Sequence, residues 1–232
     1  MTGSADGIAM VRSDEREGSV ERELLRPLLR GESIAPWAPN ESGELIIWTH
    51  GATGAAVDRL PPHATRWLAQ WRSRLTARTD ARRSRWWSLF RTAGAGDRLA
   101  RVVWADVGRG PRALVLDAGD PSVPLNSCYV IACREPHDAH ALTAILNSAL
   151  GAAWLDAVAE PARGGYRRYL GWTVGLLPVP NDWPRARDIL APIAERAAVG
   201  LPPHRDELLA AVLSAYDLRA REVAPLLTWT SG

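Results

Sequence analysis

Lysine is absent from this chain of 232 residues, so all 28 of its basic residues are arginine. That absence removes every mechanism that depends on a lysine amine: a P-loop lysine, a Schiff base, a kinase-type strand lysine, a lysine-dependent nuclease cluster. Codon bias alone can produce an arginine-only basic set, and the exclusion holds whatever its cause. Cysteine is scarce as well. Cys128 and Cys133 stand five residues apart in an apolar run, where an extended strand would point them to opposite faces and away from a shared metal. They read as buried, reduced thiols. No apolar stretch approaches the ~20 residues of a membrane helix. Asp6, Asp14, Glu15 and Glu17 give the first twenty positions the wrong composition for a signal or transit peptide. The expectation is a cytoplasmic protein with no membrane partner.

Recognisable catalytic constellations are missing too. The five histidines are scattered; only His137 and His140 lie at a spacing that places two imidazoles near one helix face, and such a pair at a helix start reads first as capping and solvent contact. No Gly-x-Ser-x-Gly elbow occurs. Gly94-Ala95-Gly96-Asp97 lacks the third glycine and the preceding strand of a phosphate-cradling loop, so it reads as a turn. There is no Asn-Pro-Pro-aromatic or Asp-Pro-Pro-aromatic tetrapeptide of the kind that holds an exocyclic amine for methylation. No catalytic residue, metal site or cofactor is therefore expected in this chain.

Charge is what the sequence does have, and it is segregated. From Arg59 to Arg112 there are 13 arginines against Asp80, Asp97 and Asp106, a local excess of ten positive charges; the other 15 arginines face 23 acids. Segregation of this kind marks a surface that faces a polyanion, or else a solvated helix face. Trp67, Trp71, Trp86, Trp87 and Trp104 fall in the same segment. Aromatics beside arginines can stack on bases. Trp67 and Trp71, four apart beside Leu68 and Leu75, have core spacing and are assigned to packing. Trp86 and Trp87 fit either a core or a stacking role, with the core preferred.

Periodicity predicts an amphipathic turn over Val20 to Arg30 and a brief strand from Leu45 to Trp48. A helix follows from Pro61-Pro62 towards Arg78, and then three strands, Val102–Trp104, Ala113–Leu116 and Leu125–Ala132. A helix capped by Asp138 should run past Trp154 and stop before Pro161. Beyond Pro178-Val179-Pro180 come helices over roughly Pro184–Val199 and His204–Leu218, then a tail to Trp229. The class is α/β or α+β, a small mixed sheet of short strands packed with helices and a helical C-terminal extension. The division expected is 1–180 and 181–232.

The order of motifs resembles a known family. Thr2-Gly3-Ser4-Ala5-Asp6, Ile8-Ala9-Met10-Val11, Glu23-Leu24-Leu25-Arg26-Pro27-Leu28-Leu29-Arg30-Gly31 and Pro36-Trp37 are followed by Ile46-Ile47-Trp48 and the helix to Arg78. Then come Trp86-Trp87-Ser88-Leu89-Phe90-Arg91, Arg101-Val102-Val103-Trp104-Ala105-Asp106 and Leu125-Asn126-Ser127-Cys128-Tyr129-Val130. Leu146-Asn147-Ser148, Gly164-Gly165-Tyr166-Arg167-Arg168-Tyr169 and Leu177-Pro178-Val179-Pro180 complete the series. Together they resemble the C-terminal target-recognition domain of TaqI-like adenine-specific DNA methyltransferases, found also in fused type IIG restriction-modification enzymes.

That resemblance implies a non-catalytic module that faces the major groove of double-stranded DNA, while a separate methyltransferase subunit or domain binds S-adenosylmethionine. Because the sequence starts where the recognition domain starts, it implies a stand-alone specificity subunit, half of a split gene, or a truncated remnant. Arg82, Arg83, Arg85 and Arg91, crowded into ten residues with Asp80 as the nearby acid, are the expected phosphate contacts, and Arg78 is expected to join them at the DNA. Arg163, Tyr166, Arg167 and Arg168 around the glycine pair are expected to approach base edges, where an arginine fork matches guanine; a plain connecting turn is the competing account of that loop. The alternative for the whole chain is an arginine-rich module that binds RNA or an acidic protein.

Overall fold

The structure is a computed structural model that describes residues 7–40, 42–51, 54–79 and 84–228. The chain divides into two compact units, Met1–Leu28 with Gly43–Gly96, and Leu29–Ser42 with Asp97–Gly232.

In the first unit, β1 (Ile8–Ser13) and β2 (Arg16–Glu21) form an antiparallel hairpin in register from Ile8↔Glu21 to Ser13↔Arg16. A 3-10 turn over Arg22–Leu24 leads into β3 (Leu25–Leu29), whose first residues pair antiparallel with β4 (Leu45–Ile47). The amphipathic turn expected over Val20–Arg30 is thus the end of one strand, the 3-10 turn and the whole of another strand. Pro27 carries no amide donor, which bars a helix through this stretch but suits a solvent-facing strand position. The first helix, α1 (Pro62–Ala69), opens on a proline whose fixed φ suits the first turn. The Glu21 carboxylate accepts from the orphan amides of His63 at 2.8 Å and Ala64 at 2.9 Å. After a break at Gln70 and Trp71 follows α2 (Arg72–Thr76). Val20, Ala64 and Trp67 form the core, with Val11, Ile47, Leu68 and Trp71 packed around them. Gly18 is required here, since a Cβ would lie 2.8 Å from Trp67 Cζ3 and closer still to Cε3.

The second unit is built on β5 (Ala100–Ala105), buried along its whole length. It lies between antiparallel β7 (Ala113–Leu116) and β9 (Cys128–Cys133), with the short strands β6 (Val107–Gly108) and β8 (Val123–Pro124) in the connections. Where one long helix is expected there are two, α3 (Pro136–Leu146) and α4 (Ala149–Val158), bent by 70°. Asn147 is taken out of the helix by its side chain, which bonds both the amide and the carbonyl of Ala113 at 2.9 Å. Ser148 restarts the chain as an N-cap, accepting from the Gly151 amide at 3.0 Å. Glu135, not Asp138, precedes α3, and Asp138 instead accepts from Trp183 Nε1 at 2.8 Å.

β10 (Glu160–Ala162) and β11 (Tyr166–Arg168) form a hairpin, with β6 on the far side of β11. The helices α5 (Gly171–Val174), α6 (Trp183–Ala198), α7 (Arg205–Ala215) and α8 (Ala220–Thr228) complete the unit. Ala141, Ala144 and Ile145 of α3 share one core with Ala186, Leu190 and Ala194 of α6, Leu208 and Val212 of α7 and Val223 of α8. The boundary expected after residue 180 therefore falls inside a unit, because small alanine faces let α6 pack closely on α3. Pro225 disguised α8 as tail in the sequence.

The class is mixed helix and strand, α+β, with two- and three-stranded sheets packed against helices. The named strand pairings are antiparallel, so there are several small sheets where one mixed sheet was expected. No single described helix is long and apolar enough to cross a membrane.

Candidate nucleic-acid interface

Nine of the 13 arginines of the basic segment belong to the first unit, and the structure repeatedly lays a guanidinium over an aromatic ring there. Arg16 lies over Trp71 (5.4 Å from guanidinium carbon to ring centroid), Arg26 over Trp48 (4.6 Å), Arg72 over Trp86 (5.4 Å), Arg85 over Trp87 (5.6 Å) and Arg91 over Phe90 (5.7 Å). Such pairs ordinarily occur about once per 70–80 residues. Five fall within this one unit, four on rings that are partly or largely exposed and one, Arg26 over Trp48, covering a buried ring. A guanidinium resting on a ring keeps its in-plane N–H donors at the edge, and the ring limits the rotamers it must give up when it meets a phosphate.

Trp86 and Trp87, for which a core role is expected ahead of stacking on a base, fall outside the buried core. They are half-buried and meet edge to face at 5.3 Å. Trp87 Nε1 donates to the Val57 carbonyl at 3.2 Å, and the Trp87 carbonyl accepts from Thr49 Oγ1 at 2.7 Å. Each ring anchors the 84–91 segment by packing while carrying an arginine on one face. Arg85 is also tied to the exposed Asp58 at 2.5 Å.

Arg78 stands differently from those expected to meet phosphate. Its Nε donates to the Leu75 carbonyl at 3.1 Å, and one terminal nitrogen donates to the carbonyls of Trp86 at 3.2 Å and Ser88 at 2.8 Å. Arg78 braces the end of α2 against the tryptophan segment. Arg101 of the same basic segment is 1% exposed, its guanidinium donating to the carbonyls of Ser122 at 3.1 Å and Asp120 at 2.6 Å. Arg82 and Arg83 lie outside the described residues.

In the second unit the glycine pair occupies a hairpin turn between β10 and β11, with Gly164 at φ 72° and Gly165 at φ 74°, conformations that favour glycine. Arg163, Tyr166 and Arg168 are exposed around it. Arg109, just beyond β6, lies over the Tyr166 ring at 5.3 Å. Arg167 points elsewhere: its guanidinium pairs with Asp156 and donates to the Ala159 carbonyl at 3.1 Å, leaving the side chain 16% exposed. It fastens the hairpin to α4. Period-2 alternation accounts for this, since neighbours on a strand face opposite sides. Sequence reasoning missed Arg16, Arg26, Arg72 and Arg109. Only Arg109 carries a local signal, a glycine on each side; the others meet their rings through tertiary pairing.

His137 and His140 diverge to separate carboxylates, His137 Nε2 to Glu195 at 3.3 Å and His140 Nε2 to Asp117 at 3.8 Å. Among the described residues no group of three or more His, Cys, Asp or Glu side chains is placed to hold a metal. Burial, reinforced by the charge of Asp106, pushes the Cys128 thiol up to about 12; burial and Asp138 push Cys133 up to about 11. Both are free thiols with no activated character. Compared with known proteins, the chain matches no family model and no curated protein.

Proposed function

We propose that this chain is a sequence-recognition module for double-stranded DNA, the non-catalytic part of an adenine DNA methyltransferase in a restriction-modification or phage-defence system. S-adenosylmethionine and the methyl transfer belong to a partner subunit or domain. The observation that carries the proposal is the set of guanidinium–aromatic pairs on the first unit, which presents oriented cationic donors to a phosphate backbone. The hairpin of the second unit adds a tip with no side chain at two positions, flanked by Arg163, Arg168, Arg109 and Tyr166, where a backbone can approach a groove edge. Selection from a random duplex pool tests this. A recognition module enriches one consensus site. Equal retention of all duplexes would reduce it to a non-specific binder, and retention of RNA or acidic protein alone would overturn it.

A further inference from the structure

The first unit contains an open concavity of about 670 Å³ lined by His50, Ser84, Arg85, Ser88, Leu89 and Phe90, of which Arg85 and Phe90 also belong to the guanidinium–aromatic pairs. Its size lies within the range of small-molecule sites. Phe90, the chain's single phenylalanine, is 63% exposed, an unusual place for the only residue of its type. Arg91, with a left-handed backbone at φ 55° and ψ 46°, holds its guanidinium over that ring. Non-glycine residues hold this conformation only where their surroundings impose it. In the wall, Ser88 is 8% exposed and its hydroxyl has no hydrogen-bond partner among the described residues. His50 is equally buried; its Nδ1 lies 3.4 Å from Thr49 Oγ1, leaving Nε2 for a ligand. Burial lowers the His50 pKa, so the ring is neutral at pH 7; because the Thr49 hydroxyl proton goes to the Trp87 carbonyl, Nδ1–H donates to Thr49 Oγ1 and Nε2 is left as an acceptor.

We infer that this concavity binds one unpaired nucleotide of the DNA, its base stacked on Phe90 beside Leu89, its polar edge met by His50 and Ser88, and its phosphate held by Arg85 and Arg91. The three chemistries converge on few other ligands: an exposed planar apolar ring selects an aromatic body, the imidazole and orphan hydroxyl select a hydrogen-bonding rim, and the guanidiniums select an adjoining anion. This rests on the DNA-binding reading and adds a second mode to it, because a paired and stacked base offers neither face to Phe90.

The test compares a short duplex that carries one unpaired adenine with the same duplex fully paired, using the full-length chain and anisotropy of an end label. The bulged duplex should bind about tenfold more tightly, the contribution of one base stacked on an aromatic ring. Phe90→Ala should abolish that preference, weakening both duplexes alike only by the support it removes from Arg91; Phe90→Trp should retain the preference, and Ser88→Ala should reduce it while leaving the paired duplex unaffected. Phe90 is too exposed for its loss to unfold the unit, and thermal melting of the variant verifies this. Equal affinity of the wild-type chain for the two duplexes, or a preference for the bulged duplex that Phe90→Ala leaves intact, would overturn the inference while leaving DNA recognition standing. Failure to bind either duplex would overturn DNA recognition itself, and this inference with it.

Discussion

Replacing Arg78 with alanine separates a structural arginine from a DNA-binding one in a single variant. The guanidinium makes three hydrogen bonds to backbone carbonyls, at 3.1, 3.2 and 2.8 Å, and closes the 84–91 segment onto α2. Bonds from a charged donor contribute about 1.5–3 kcal/mol each when well buried. Arg78 is only partly buried and regains rotamer freedom when released, so the total is discounted to about 2–4 kcal/mol. For a domain of this size, each kcal/mol moves the melting temperature by about 4–8 °C, so a fall of roughly 10–25 °C is expected in the first unit. Tryptophan fluorescence follows that transition, since five of the chain's 11 tryptophans lie in the first unit. At a temperature where the variant is folded, the slope of log affinity against log salt for duplex DNA should be unchanged. The contrasting variant, Arg72→Ala with Arg91→Ala, removes two exposed stacked arginines worth about 0.5–1 kcal/mol each in stability. It should melt about 4–16 °C lower and flatten the salt slope by about 0.9 for each phosphate lost. A wild-type melting curve with a flattened slope for Arg78→Ala would refute the assignment.

Three further outcomes follow from the packing. Gly18→Ala drives a methyl group into the Trp67 ring and should destabilise the first unit by about 1–3 kcal/mol, read by denaturant melts. At Glu21, burial pushes the carboxyl up, but amides of His63, Ala64 and Glu21 itself, with the His63 charge, outweigh it and leave the pKa below its usual value. The stability it contributes is therefore present above the usual carboxylate pKa of 4.5 and is lost as pH falls through the lower folded value. The melting difference between wild type and Glu21→Gln should accordingly shrink below that pH, and a pH-independent difference would exclude the capping role. Arg167→Ala should lower the melting temperature of the second unit without changing sequence discrimination, whereas Arg168→Ala should cost about 1–3 kcal/mol on the recognised site; competition against single-base variants reads both.

Legibility differed sharply between elements. Trp67 beside Leu68 announced α1 because a 3.6-residue period needs only local spacing, and the β5, β7 and β9 runs announced themselves by their apolar residues and turn punctuation. The α3–α4 break was hidden because its cause, the Asn147 bonds to Ala113, is tertiary. The division into units was hidden for a related reason: residues 29–42 leave one unit to join another, and no composition shift marks the crossing. Charge density pointed to the basic segment, but spacing could not tell the internal braces Arg78 and Arg101 from the stacked, exposed Arg72 and Arg91. That distinction depends on which carbonyls lie within reach once the chain has folded.

On the proposed function, the arginine–aromatic surface of the first unit grips the phosphates of duplex DNA. Affinity of the full-length chain for a duplex, measured across a series of salt concentrations, tests it most directly. Log affinity should fall steeply and linearly with log salt, by about 0.9 per phosphate engaged, and the slope should become shallower when Arg72, Arg85 and Arg91 are replaced together. A slope near zero, or one that these replacements leave intact, would contradict it.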